Sequence, residues 1–101
     1  MVAEPSTQPP FRRGDVNDDG AVDISDPTVI LNWLFLGGER PSCLDAANTN
    51  GDRAHDLSDA VTLLNYLFAG GEPPPAPGPK LCGADPAPVF GCERAVACPV
   101  R

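Results

Sequence analysis

No apolar run in the chain approaches the ~20 residues that a membrane-spanning helix needs. Positive charge is scarce: 7 Lys and Arg stand against 14 Asp and Glu, a net charge of −7. Nucleic acid and anionic membrane are therefore disfavoured as partners. The single histidine, His55, lies inside an acidic stretch with no nucleophile paired to it, so no catalytic constellation can be assembled. A C-x-x-C pair is missing, and Cys43, Cys82, Cys92 and Cys98 fit two disulfides in an oxidising compartment better than a zinc site. Met1-Val2-Ala3-Glu4 has neither the basic start nor the apolar stretch of a signal peptide. The chain reads as a module cut from a longer exported protein, with a start methionine added.

Apolar residues are concentrated in two short stretches, with most of the 13 prolines and 10 glycines outside them. That leaves about sixty residues for an ordered core, a size that usually needs metal or disulfide staples. Ahead of the first stretch stands Asp15-Val16-Asn17-Asp18-Asp19-Gly20-Ala21-Val22-Asp23-Ile24-Ser25-Asp26. Oxygen side chains fall at positions 1, 3, 5, 9 and 12 of this loop and glycine at 6, the register by which a loop wraps a hard cation. Asp15, Asn17 and Asp19 are expected to offer side-chain oxygens, Ala21 its carbonyl, and Asp23 an oxygen that reaches the ion directly or through water. Asp26 would close the sphere where the common EF-hand loop has Glu. Oxygen-only ligands select calcium or a similar ion over zinc or copper. An acidic surface turn accounts for one or two such residues, not for six in register.

Pro27 to Leu36 follows as a helix of about three turns. Ser25 or Asp26 can cap it, Pro27 suits its first turn and Gly37-Gly38 ends it. Adding 33 to each number repeats the pattern through Asp15/Asn48, Asn17/Asn50, Asp19/Asp52, Asp23/Asp56, Ser25/Ser58 and Asp26/Asp59. It continues through Leu31/Leu64, Asn32/Asn65, Leu34/Leu67 and Phe35/Phe68 to Gly37-Gly38-Glu39 against Gly70-Gly71-Glu72. The chain thus duplicates a loop-then-helix unit, with repeats 15–41 and 48–74 in a domain of residues 14–75. The second ligand set is Asn48, Asn50, Asp52, Ala54 by its carbonyl, Asp56 and Asp59. It is expected to be the weaker one, because Asn48 replaces Asp, and Arg53 stands where the first loop has Gly20. Arg53 at positive φ would cost on the order of 1–2 kcal/mol. His55 is expected to be a packed or partly exposed loop residue, not a ligand.

Neither loop has room for an entering helix, which argues against a sensor that opens and closes. The expected fold is small and mostly α: two half EF-hands packed antiparallel with pseudo-twofold symmetry, plus an irregular disulfide-bonded tail. Val22, Ile30, Leu34, Leu63 and Leu67 suffice for the helix seam. Leu31, Trp33, Phe35, Tyr66 and Phe68 are surplus, to be covered by the tail or left as a docking patch. Residues 1–13 read as a Pro-rich linker, with Phe11 the first to pack. Residues 76–101 read as a Pro/Cys-rich tail packing on the domain. Of three possible disulfide pairings, Cys43–Cys82 with Cys92–Cys98 is preferred, since it ties the tail to the inter-repeat connection and leaves a small local ring.

The pattern D-x-N-x-D-G-x-V-x-x-x-D followed by one helix, given twice across residues 14–72, resembles a type I dockerin. The endings Leu34-Phe35-Leu36-Gly37-Gly38 and Leu67-Phe68-Ala69-Gly70-Gly71, with Cys43 between the repeats, resemble dockerin-like modules of planctomycete exported proteins. The resemblance implies calcium in one strong and one weaker site. It implies a non-catalytic module, monomeric when isolated, secreted or at the cell surface, which docks its parent to a cohesin-like or other surface partner. Partner contacts carried over by position are Ile24, Ser25, Leu57 and Ser58 in the loops and Leu31, Asn32, Leu64 and Asn65 on the helices. Cellulosome modules often carry a basic pair at those helix positions. A calcium-stabilised spacer with no dedicated receptor is the alternative.

Overall fold

The computed structural model describes residues 9–86 and 88–98. Helices α1, Ser25–Leu36, and α2, Leu57–Phe68, each follow an acidic loop and pack against each other. The mostly α architecture with an irregular tail is the expected one. Both helices begin alike. Ahead of α2, Asp56 accepts the Ser58 N–H and Asp59 accepts the Asp56 N–H. Ahead of α1, Asp23 accepts the Ser25 N–H at 3.1 Å and Asp26 the Asp23 N–H at 2.8 Å. These reciprocal bonds satisfy amides that a helix start leaves without partners. The capping side chain of α1 is therefore Asp23, because Ser25 and Asp26 already belong to its first turn.

The helix ends also match. Gly37 and Gly70 lie at φ 74° and 71°, and the amides of Gly38 and Gly71 return to the carbonyls of Asn32 and Asn65 at 2.9 Å. A Cβ on Gly38 would meet the Asn32 backbone at 3.2 Å, and one on Gly71 the Asn65 Cβ at 3.0 Å. The first glycine of each pair supplies the turn and the second permits the close approach.

Helix α1 buries Asp26, Pro27 and Ile30, and α2 buries their 33-residue equivalents Asp59, Ala60 and Leu63. Ile30, Ala60 and Leu63 join Val16 and Ala47 in one core, edged by Val22, Val29, Leu31 and Leu34. The helices therefore meet near the loops, and their far ends reach solvent. Leu31, expected to be surplus, packs on the core, while Leu67, expected in the seam, is only half-buried. The tail leaves Phe35 61% and Phe68 68% exposed.

A second cluster holds Phe11, Cys43, Ala46, Cys92 and Ala95. Phe11 packs as expected, but ordered structure starts earlier than the supposed linker boundary. Phe11 exchanges two backbone hydrogen bonds with Gly83, and Arg13 is buried. The guanidinium explains why. Its Nη1 donates to the carbonyls of Asp45 and Asn48, both at 2.9 Å. Its Nη2 donates to the Ala76 carbonyl at 2.9 Å and to the Asp85 carboxylate, and Nε is shared between the carbonyls of Pro75 and Ala76. Every donor of the fork is thus engaged. The rest of the expected linker, residues 1–8, lies outside the described residues.

The disulfides are Cys43–Cys92 and Cys82–Cys98, not Cys43–Cys82 and Cys92–Cys98. Backbone pairing of the tail decides this. The Asp45 carboxylate accepts the amides of Phe90 (2.9 Å) and Gly91 (3.0 Å), and its own N–H donates to the Gly91 carbonyl, which sets Cys92 beside Cys43. Cys82 is brought to Cys98 by the Phe11–Gly83 pairing and by Asp18, whose carboxylate accepts the amides of Val96 and Ala97.

Arg13→Met is expected to destabilise the protein by about 3–5 kcal/mol, since it removes a buried ion pair with Asp85 and the donors to the carbonyls of Asp45, Asn48, Pro75 and Ala76. Chemical denaturation in saturating calcium measures this. A loss below about 1 kcal/mol would mean that the guanidinium only decorates the fold.

Candidate metal centres

In the first loop Asp15 is buried and accepts the amides of Asp19 (3.1 Å) and Gly20 (2.9 Å). Asp26, fully buried, spans the loop. Its Oδ1 accepts the amides of Val16 (2.8 Å) and Asn17 (3.2 Å) at the entrance, while Oδ2 holds Asp23 at the exit. Asp19 accepts the Ala21 N–H, and Gly20 takes φ 93° as its position requires. A relay joins three further positions: Asn17 Nδ2 donates to Ser25 Oγ at 2.8 Å, and the hydroxyl donates to Asp23. The second loop repeats it through Asn50, Ser58 and Asp56. With the amide nitrogen committed, Asn50 keeps its oxygen for the loop, where it accepts the Asp52 N–H.

The side-chain hydrogen bonds of the second loop from Asp52 onward follow those of the first. Asp59 is buried and accepts the Asp56 N–H at 3.0 Å, and Asp52 accepts the Ala54 N–H. The strain expected at Arg53 is not there. The positive φ of this loop falls at Gly51 (76°), the counterpart of Asp18 (60°), and Arg53 has none. Both loops take a left-handed step at this equivalent pair; the first takes another at Gly20, which the second omits, so the arginine is spared it. His55 is packed as expected: its ring lies 3.9 Å from that of Phe90 and edge-on to Trp33 at 5.1 Å, with Nε2 donating to the Leu44 carbonyl.

Burial pushes the Asp26 carboxyl up to about 6 despite three amide donors, and the neighbouring Asp15 charge pushes it the same way. Burial likewise raises Asp15 and Asp59. Among the described residues no three His, Cys, Asp or Glu side chains already converge into a group that could hold an ion. The carboxylates hold loop amides instead. The residues nonetheless fit a hard cation. Every side-chain donor is an oxygen, and the buried Asp15 and Asp26 crowd like charge that a divalent ion would relieve. At position 1 of the second loop, the Asn48 side chain is buried with neither its nitrogen nor its oxygen partnered. Such a group has lost its water with nothing in exchange.

Of the residues expected to meet a partner, Ile24 and Leu57 are each 53% exposed. Asn32, Ser58 and Asn65 are exposed, and Ser25, Leu31 and Leu64 half-buried. Asp18 and Asp45 anchor the tail, a role that no local sequence pattern signals. Both lie outside the ligand register, and their partners are backbone amides far away in sequence.

The metal-free protein should show an inverted pH response. Asp26 binds its proton more tightly folded than unfolded, so stability falls as pH rises from about 4 to 6, by on the order of 2–3 kcal/mol. In chelator, calorimetry should find a higher melting temperature at about pH 5 than at about pH 7. In calcium the order should reverse, because protons compete with the ion. A metal-free melting temperature that drops on this acidification would contradict the assignment.

The model of the Dockerin type I domain family matches residues 13–68. No curated protein and no solved structure matches the chain. That family is one of calcium-binding, non-catalytic docking domains, which agrees with the two loop–helix units just described. The family match covers more than half of the chain, and the chain belongs to the type I dockerin family.

Proposed function

We propose that this chain is the calcium-stabilised docking module of an exported protein, attaching its parent to a cohesin-like or other protein partner. The observation that carries the docking reading is an apolar stripe on α2. Leu57, Val61 and Phe68 are 53%, 43% and 68% exposed, with half-buried Leu64 completing a spacing of one helix face. On α1 the counterparts are Ile24, Thr28, Leu31 and Phe35, where Thr28 interrupts the stripe and Leu31 turns to the core. The two disulfides support an exported parent. Among the described residues no helix is long and apolar enough to cross a membrane.

Calcium in this reading stabilises rather than signals. Asp15, Asn17, Asp19, Asp23, Asp26 and the Ala21 carbonyl hold the tighter ion. Asn48, Asn50, Asp52, Asp56, Asp59 and the Ala54 carbonyl hold the weaker one, since the neutral Asn48 and the cationic Arg53 remove favourable charge. At a calcium concentration a hundredfold above the dissociation constant, binding adds about 2.7 kcal/mol. A spacer role finds support in Leu31-Asn32 and Leu64-Asn65, which stand where cellulosome modules often carry a basic pair.

Calorimetric titration should count two calcium ions of unequal affinity, and EGTA should lower the melting temperature sharply. Capture of secreted proteins of the source organism should require calcium and be lost in a Leu57→Asp/Phe68→Asp variant whose melting temperature is unchanged. Calcium-replete protein that captures nothing would favour the spacer, and a melting curve indifferent to EGTA would remove the calcium role.

A further inference from the structure

Each acidic loop has a helix at its exit and none at its entrance. The tail stands at both entrances instead. At the first loop, Phe11 and Gly83 exchange backbone bonds of 2.8 and 3.0 Å, and Cys82, next to Gly83, is joined to Cys98. Just before Cys98, the amides of Val96 and Ala97 donate to the two oxygens of Asp18 at 2.7 and 2.9 Å. The segment from Phe11 to Asp18 is thus held at both ends by one disulfide-closed ring. Asp18 is no part of the ligand register, yet it is the one non-glycine residue with positive φ among those described. Asp enters that region more readily than most residues with a Cβ, and the two tail amides on its carboxylate hold it there.

At the second loop the brace is built differently. Asp45, three residues ahead of Asn48, takes the amides of Phe90 and Gly91 and returns its own N–H to the Gly91 carbonyl, beside the Cys43–Cys92 bond. Gly51, in the place of Asp18, reaches its conformation without help.

We propose that the tail is the entrance brace of both calcium loops, one disulfide to each: Cys82–Cys98 with Asp18 sets the affinity of the first loop, and Cys43–Cys92 with Asp45 that of the second. This rests on the reading that the loops bind calcium. The brace acts before the ion arrives. It removes ion-free loop conformations that cannot bind, so that ordering is not charged against binding. Asp18 and Asp45 are positioning residues, since neither is a ligand. Because Asp18 and Asp45 engage different stretches of the tail, 96–97 and 90–91, their effects are separable, and reduction to thiols lowers calcium occupancy loop by loop.

The test is calcium titration of the full chain, followed by calorimetry and by the NMR amide signals of Gly20 in the first loop and Gly51 in the second. Cys82→Ser/Cys98→Ser and, separately, Asp18→Asn should each weaken the first loop about tenfold and leave the second within about twofold. Cys43→Ser/Cys92→Ser and Asp45→Asn should do the converse. In calcium-free buffer, Asp18→Asn should also speed hydrogen exchange at the Val96 and Ala97 amides. If a cysteine pair variant does not fold, the two Asp→Asn variants, which keep both disulfides, decide. Loss spread equally over both loops, or no loss in either, overturns the brace while leaving the calcium reading intact. A wild type that takes up no calcium overturns both.

Discussion

The fold depends on a carboxylate that has to serve two masters. Asp26 is fully buried, and its two oxygens tie the amides of Val16 and Asn17 to that of Asp23. One side chain therefore joins the entrance of the first loop to the start of α1. A buried anion of this kind is costly unless compensated, and amide dipoles compensate it only in part, as its upward-displaced titration indicates. Asp59 reproduces the arrangement ahead of α2. Loop and helix are consequently one unit: whatever neutralises the carboxylate also places the helix. A divalent ion would do so without removing the hydrogen bonds, whereas a proton weakens them.

Arg13 addresses the opposite charge in the other half of the molecule. Its guanidinium gathers carbonyls from the inter-repeat turn and from the proline-rich segment after α2, and it meets Asp85 from the tail. Three stretches that share no regular structure are thereby fixed by one planar group whose geometry suits several acceptors at once. With a core of only Val16, Ile30, Ala47, Ala60 and Leu63 between the helices and loops, such polar cross-links and two disulfides do what a larger apolar interior does elsewhere.

Much of this was readable from residues alone, and for a definite reason. Ligand spacing, caps and the Gly-Gly stops are local patterns, and the 33-residue offset states each of them twice. Features set by distant backbone were not readable. The disulfide pairing follows from which amides Asp45 and Asp18 accept, and nothing in the spacing of four cysteines encodes that. Arg13, in a run of prolines and charges, looks like any solvated cation until the carbonyls around it are known. The strain assigned to Arg53 assumed two loops of identical path, whereas the second loop lacks the positive-φ step that the first makes at Gly20. Leu31 and Leu67 exchanged their expected environments because the helices meet at the loop end and not along their whole length.

The hydroxyl relay has a consequence for what can be recognised at its surface. Ser25 and Ser58 each spend their only hydrogen on a carboxylate and one lone pair on an asparagine amide. What each oxygen still offers outward is a single acceptor site. A molecule that addresses these serines without breaking the relay must therefore present a donor, such as an ammonium, guanidinium or amide N–H, and a carbonyl in that place would find nothing to hold.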